Sequence, residues 1–333
     1  MVSYNVAVVG ATGAVGQKMC RVLEERDFPV ENLRPLASKR SAGKKIAFKG
    51  SLYDIEVLTD DSFKDIDIAL FSAGSSTSAT YAPIAVASGA TVIDNSSAFR
   101  MDPEVPLVVP EINRSAIESH KGIIANPNCS TIQMVLVLKP LDDAFKLKRV
   151  VVSTYQAVSG SGKEAVEELI SQSKAALKSE EIISKVYPHQ IAFNILPHID
   201  VFDSDGNTKE EIKMVMETRK IMDLPDLAIT ATAVRVPVIN SHSESINIEF
   251  DKEAPPEEAK KILHSAPGIT IVDDPKKNIY PMAISASGSN QTYVGRIRKD
   301  ESVENGLNLW VVSDNLLKGA ALNAVQIGEY LIS

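Results

Sequence analysis

Tyr4-Asn-Val-Ala-Val-Val-Gly10-Ala-Thr-Gly13-Ala-Val-Gly16-Gln-Lys-Met-Cys-Arg-Val-Leu23 decides the fold. Tyr4–Gly10 is a short, nearly continuous apolar run, the pattern of a strand buried on both faces of a parallel sheet. Three glycines follow at once as G-x-x-G-x-x-G. Gly10 permits a tight turn, Gly13 lets a backbone approach a pyrophosphate, and Gly16 lets a helix pack against the strand. Val15, Met19, Val22 and Leu23 then recur at i, i+4, i+7 and i+8, one face of a helix. The start of such a helix offers unsatisfied N–H groups to phosphate. Strand, glycine turn and helix in this order are what a dinucleotide-binding fingerprint requires.

The next strand reads as Leu33–Ala37 and ends in Ser38-Lys39-Arg40-Ser41. An NAD site carries an acidic residue there to bind the ribose 2′-hydroxyl. None is present. Ser38, Arg40 and Ser41 instead suit a 2′-phosphate, which favours NADP. Further out, Ile66–Ser72, Thr91–Asp94 and Leu107–Pro110 read as strands, with a helical stretch at Ser78–Ser88. This alternation predicts βαβ units in a doubly wound sheet. After about residue 125 the pattern changes. Arg149–Tyr155, Leu227–Val238, Ser245–Phe250, Thr292–Ile297 and Leu307–Ser313 are strand-like. Lys163–Leu177, Pro256–His264 and Leu316–Leu331 look helical. The whole predicts an α/β protein: an N-terminal Rossmann-type domain, then an α+β domain with a mixed sheet and helices on one face.

At 333 residues the chain suits about two domains. Its formal charge of −8 repels a phosphate backbone or an anionic membrane, so neither nucleic acid nor membrane is expected as partner. Two cysteines give no disulfide framework and fit a reducing cytoplasm. No run approaches the ~20 apolar residues of a membrane span, and the N-terminus lacks the pattern of a signal peptide. The five histidines form no HxxxH pair, so no metal is expected.

Ala125-Asn-Pro-Asn-Cys129-Ser-Thr-Ile-Gln-Met-Val-Leu136 is the most informative stretch for chemistry. Pro127 and Asn128 break the chain, and Ile132, Val135 and Leu136 begin a helical stripe. Asn128 and Ser130 are both candidate N-caps. Cys129 then sits in the first turn, where the helix dipole favours a thiolate nucleophile. Cys20, inside the first helix beside core positions, reads as a buried small hydrophobe. Taken singly, His242, Arg100, Lys213 and Glu210 read as solvated residues. Arg235, a charge within the apolar Leu227–Val238, is at a strand end, paired, or aimed into a site.

GATGAVG, ASKRSAG, FSAGSSTS, DNSSAFR, NPNCSTIQM, TYQAVSGSG, RVPV, SHSES and SDNLLKGAALNAVQI together resemble bacterial-type aspartate-semialdehyde dehydrogenases, in the family's order and over essentially the whole chain. The resemblance implies NADPH-dependent reductive dephosphorylation of L-4-aspartyl phosphate to L-aspartate 4-semialdehyde and phosphate. That step leads toward lysine and diaminopimelate, threonine, methionine and isoleucine. It implies Cys129 as nucleophile, Gln156 positioning substrate beside the thioester, and His242 as acid/base. Arg235 matches the clamp on the substrate α-carboxylate, Arg100 and Lys213 the phosphate binders. Glu210 matches the partner of the substrate amino group, with Glu211 as the neighbouring alternative. Thr12, Gly13, Ala14, Val15, Arg40, Ser41, Ser159, Gly160 and Asn315 match NADP contacts. The implied domains are 1–128 with 314–333, binding NADP, and 129–313, for catalysis and dimerisation. A cytoplasmic homodimer is implied too, with pairing into a tetramer as a further expectation.

The nearest rival, N-acetyl-γ-glutamyl-phosphate reductase, uses the same cysteine chemistry on a longer, acylated substrate. A free α-amino group favours an acidic partner such as Glu210 and so the first reading. A non-catalytic NADP-binding protein on the same fold would be expected to have lost Cys129 or His242.

Overall fold

The computed structural model describes residues 2–41 and 43–333. The N-terminal apolar run forms β1 (Tyr4–Val9), with Val6–Val9 buried. The glycine turn leads into α1 (Ala14–Glu25), which buries Met19, Cys20, Val22 and Leu23. Gly10 takes φ +83°, a backbone conformation open mainly to glycine. A Cβ on Gly16 would lie 2.2 Å from the Gly10 carbonyl oxygen, so only glycine lets the helix start this close to the turn.

The chain continues through β2 (Val30–Ala37), a hairpin of β3 (Lys45–Phe48) and β4 (Ser51–Asp54), β5 (Glu56–Val57), β6 (Ile68–Phe71), α2 (Ser75–Ala87), β7 (Thr91–Asp94), α3 (Pro110–Asn113) and β8 (Ile123–Ala125). Among the described residues the main sheet runs β5-β2-β1-β6-β7-β8, parallel throughout. Strand order reverses at β1, so the crevice beyond its carboxyl end is where such a sheet binds ligand. The glycine turn occupies that end, with Gly10 packed against Ser72. Leu107–Pro110, expected as a strand, makes only a parallel bridge from Leu107 to Ala125. Pro106 and Pro110 each remove an amide donor, and Pro110 opens α3 instead.

The second unit holds α4 (Cys129–Phe145), β9 (Leu147–Gln156), α5 (Lys163–Leu177), α6 (Lys209–Met222), β10 (Ala228–Arg235), β11 (His242–Phe250), α7 (Pro256–Ser265), β12 (Ile269–Ile271), α8 (Ala283–Ala286), β13 (Thr292–Asp300) and β14 (Gly306–Ser313). Its described sheet runs β10-β9-β11-β14-β13-β12. β9 pairs with β10 and β12 with β13 in parallel; the other pairings are antiparallel. α4, α6 and α7 pack against this sheet. Alternation fixes which side chains they cover: Val150, Val152, Thr154 and Gln156 of β9 are buried, while the residues between them are half-buried.

The last helix is α9 (Leu322–Leu331), preceded by a wide π turn at Leu317–Ala321. The compact units divide between Asn128 and Cys129 and again between Gly319 and Ala320. Residues 314–319 therefore lie with the second unit, six positions beyond the boundary drawn from sequence. The Asp314 and Asn315 side chains explain this, since both accept hydrogen bonds from 240–241. Within the first unit, α9 sets Gly328 against Phe28. Arg26 makes a two-pronged ion pair with Glu329 at 2.6 and 2.7 Å. Among the described residues no helix is long and apolar enough to cross a membrane.

The Gly16 contact yields a direct test. Gly16→Ala forces a Cβ onto the turn, and overpacking of this kind should cost about 2 kcal/mol of stability. Calorimetry should show a lowered Tm, and an unchanged Tm would mean that the turn has slack.

Candidate active site

Three strands end together at one edge of the second sheet. Arg235 closes β10 and pairs in register with Gln156, which closes β9. His242 opens β11, one step past the Ser243–Tyr155 pair. The residue after Gln156, Ala157, holds the other two. Its N–H donates to His242 Nδ1 at 3.0 Å, and its carbonyl accepts from Arg235 Nη1 at 2.6 Å. An amide N–H can only donate, so Nδ1 carries a lone pair and the proton of the neutral ring sits on Nε2. His242 is fully buried, and burial first, then the Arg235 charge, hold its pKa well below the usual histidine range. His242 Nε2 and Arg235 Nε are both buried with no hydrogen-bond partner. Unsatisfied buried donors of this kind are rare and call for a ligand. Gly160 backs onto them: a Cβ there would lie 3.1 Å from Arg235 Nη1 and 3.3 Å from His242 Nε2. Tyr187, not singled out in the sequence, places its ring under the Arg235 guanidinium at 6.0 Å.

A polar chain extends from the same edge. Gln156 Nε2 donates to Glu210 Oε1 at 3.1 Å. Glu210 Oε2 faces Lys213 Nζ at 3.5 Å, and Lys213 also pairs with Asp200 at 2.7 Å. Partial burial raises the Asp200 pKa most, but its hydrogen bonds to Lys213 and the Val201 N–H, with the Lys213 and Lys209 charges, together outweigh this and hold it below the usual range. Glu210 and Lys213 are one helical turn apart on α6, which is why they face the same way. Glu211 is occupied elsewhere. It forms a capping box with Thr208, accepting the Thr208 N–H at 2.7 Å while its own N–H donates to Thr208 Oγ1. It also accepts the Ala233 N–H. Of the two neighbours, Glu210 is the one turned toward Gln156.

Cys129 is the first residue of α4, so Asn128 holds the cap position and Ser130 lies within the first turn. Gly319 packs on it: a Cβ at 319 would sit 2.9 Å from Cys129 Cβ and 3.5 Å from the Asp314 carbonyl. Asp314 directly follows Ser313, the β14 partner of His242. Cys129 is thereby tied to the sheet edge that carries the other groups. Cys20 is buried, and its thiol pKa is pushed up to about 12 by burial, as suits an inert core residue. Beside the edge, Asn315 Oδ1 accepts the Ser241 N–H at 2.9 Å, and Asn315 Nδ2 donates to Ser159 Oγ at 3.0 Å. Ser159 and Asn315 are thus neighbours.

The remaining candidates belong to the first unit. Arg100 is buried, donating Nε to the Asn126 carbonyl and Nη2 to the Asn95 carbonyl, both at 2.9 Å. Buried Asp94 fixes the start of that loop, accepting from Ser78 Oγ, Ser96 Oγ and Ser96 N–H. In the glycine turn, Thr12 Oγ1 lies 3.3 Å from Ser41 Oγ, joining turn and β2 end, while Ser38 and Arg40 are exposed. No side chain caps α1 and no acid lies in its first turn. Its first N–H groups at Ala14, Val15 and Gly16 are open to an anion, which fits a dinucleotide phosphate. Among the described residues no cluster of metal-ligating side chains occurs.

This geometry makes two outcomes measurable. In long-range proton–nitrogen NMR, His242 should remain a neutral Nε2–H ring at about pH 6, where an ordinary histidine is charging; an imidazolium signal there would overturn the assignment. Gly319→Ala should displace Cys129 and lower kcat by about tenfold or more, with the fold retained by circular dichroism. Unaltered turnover would show that Cys129 tolerates the shift.

Two family models match the chain: "Semialdehyde dehydrogenase, NAD binding domain" over residues 5–120, and "Semialdehyde dehydrogenase, dimerisation domain" over 138–318. Among curated relatives, the aspartate-semialdehyde dehydrogenase of Aquifex aeolicus is 58% identical, covering 99% of this chain and 98% of that protein. The Bacillus subtilis enzyme is 56% identical, covering 98% and 97%. Among solved structures, aspartate semialdehyde dehydrogenase II from Vibrio cholerae complexed with ASA aligns with TM-score 0.97 at 45% identity, over 100% of this chain and 99% of that one. The Candida albicans enzyme with NADP aligns with TM-score 0.77 at 26% identity, over 99% of each chain. With both domain models matched in order and identity above half over nearly its full length, the chain belongs to the aspartate-semialdehyde dehydrogenase family.

Proposed function

We propose that the chain converts L-4-aspartyl phosphate to L-aspartate 4-semialdehyde and phosphate with NADPH, through a thioester on Cys129. The observation that carries this reading is the pair of buried, unpartnered donors, His242 Nε2 and Arg235 Nε, at the edge tied to Cys129. Cys129 Sγ attacks the acyl carbon, its thiolate favoured by the start of α4. The carbon–oxygen bond to phosphate breaks, and phosphate leaves with the electron pair. When bound, NADPH supplies the hydride that reduces the acyl group. His242 donates a hydrogen bond from Nε2–H to the oxygen that gains charge, and holds it until the carbonyl re-forms and the carbon–sulfur bond breaks, returning the Cys129 thiolate. Held neutral, the ring is a donor poised before reaction begins.

Arg235 receives the substrate α-carboxylate, Nε and the outer Nη presenting a side-on fork. Its Nη1 is already spent on Ala157. Glu210 receives the α-ammonium group and, through Gln156, fixes the amide beside the thioester. Lys213 and Arg100 bind phosphate. For the cofactor, the Gly10–Val15 turn holds the diphosphate, Ser38, Arg40 and Ser41 the 2′-phosphate, and Ser159, Gly160 and Asn315 the nicotinamide end. The sheet's other face carries the Tyr155–Trp310 ring contact, and Tyr280 and Met282 nearby are exposed; it serves as the dimer face. Pairing of dimers into a tetramer and a cytoplasmic location complete the reading.

The test is phosphate-dependent reduction of NADP by aspartate semialdehyde, with wild type beside Cys129→Ala. Wild type should form NADPH only with phosphate present, and Cys129→Ala should lose turnover yet keep NADP binding. A silent, folded, NADP-binding wild type would overturn the reading, and activity on N-acetyl-γ-glutamyl phosphate would replace it.

A further inference from the structure

Three asparagines from distant parts of the chain form a ladder inside the first unit. Asn95 follows β7, Asn126 follows β8, and Asn323 is the second residue of α9. Asn126 Nδ2 donates to Asn95 Oδ1 at 2.6 Å. Asn323 Nδ2 donates to Asn126 Oδ1 at 2.7 Å and to the Val108 carbonyl at 2.9 Å. Asn126 and Asn323 are fully buried. Arg100 hangs from the two loops this ladder joins, because its guanidinium donates to the backbone carbonyls of Asn95 and Asn126.

We propose that Asn323 is a positioning residue for the anion site: it locks the Asn126 and Asn95 loops and thereby aims Arg100. The proposal rests on reading Arg100 as a phosphate binder. Several features favour it over plain packing. Asparagine is a poor helix former, and a buried amide is costly unless fully bonded. Its neighbours Leu322, Ala324 and Val325 are buried apolar residues, so an apolar side chain would have served packing alone. The Asn323 amide meets one segment before Pro110 and one beside Cys129 in the chain, and Asn126 Nδ2 also reaches the Ala320 carbonyl at 3.4 Å, so the ladder joins the start of α9 to both loops, while the Arg26–Glu329 pair holds the far end of the helix. What the ladder does fix is the separation of the two carbonyls that grip Arg100. A guanidinium gripped at Nε and Nη2 by two fixed backbone carbonyls is held in one orientation, which is what recognition of a tetrahedral anion requires.

The experiment is steady-state kinetics in the phosphate-consuming direction, varying inorganic phosphate, aspartate semialdehyde and NADP in turn. Asn323→Ala should raise the KM for phosphate about tenfold while the other two KM values stay within about twofold. Asn95→Ala, at a half-buried site that tolerates truncation, should move the same constant in the same direction and serves if Asn323→Ala does not fold. Arg100→Lys is the reference. If it raises the phosphate KM and the asparagine variants do not, or if they raise all three constants together, the positioning role is overturned. If Arg100→Lys leaves the phosphate KM unchanged, the reading of Arg100 fails and the proposal falls with it.

Discussion

One residue whose side chain takes no part organises the sheet edge that carries His242 and Arg235. The Ala157 N–H fixes the His242 ring, and its carbonyl fixes the Arg235 guanidinium. Because Ala157 follows β9 directly, both side chains inherit the precision of the sheet rather than that of a loop. The N–H settles the histidine tautomer, and the carbonyl decides which arginine nitrogens stay open. Neither contact depends on the Ala157 side chain, since only its backbone takes part; proline alone would remove the N–H. The constraint is therefore built into the register of β9 with β10 and β11.

Burying a histidine beside an arginine sets a charge problem, and the structure meets it by disfavouring the charged histidine. Burial and the neighbouring Arg235 charge together depress the His242 pKa. The neutral ring is thus a consequence of what lies next to it. The same arrangement leaves polar atoms unsatisfied, a cost that a carboxylate and a carbonyl oxygen would relieve on binding. A folded-state histidine pKa below the unfolded one also has a sign for stability. Its contribution is full above the unfolded value and is lost as pH falls below it, so acid should weaken this edge first.

Much of this was legible in the sequence, because the signals were local. The glycine turn, the alternation of apolar runs and the break before Cys129 each span a dozen residues or fewer, and backbone conformation arises from them directly. The Glu210–Glu211 ambiguity also had a local answer: Thr208-x-x-Glu211 is a capping-box spacing, which assigns Glu211 to the helix end. Leu107–Pro110 misled because its apolar pattern outweighed the flanking prolines. Ala157, Tyr187 and Gly319 carried no signal. Each matters only through contact with a residue far away in the chain, and a glycine needed for space beside Cys129 looks like any other.

The return of the chain to its first unit gains a reason from these contacts. A terminal helix that only covered apolar surface would need no buried amide and no wide turn before it. Here Asp314 and Asn315 bond within the second unit, Gly319 packs on Cys129, and four residues later Asn323 bonds within the first. The π turn at Leu317–Ala321 lies between these duties. Such turns insert an extra residue and rotate the helix beyond them, which is why they gather at functional sites. A regular helix from Leu316 would place Gly319 and Asn323 four residues apart on one face. The extra turn residue releases that coupling, so Gly319 can clear Cys129 while Asn323 meets its own partners. The irregularity is thus required by two side-chain positions that an ideal helix would force to share one stripe.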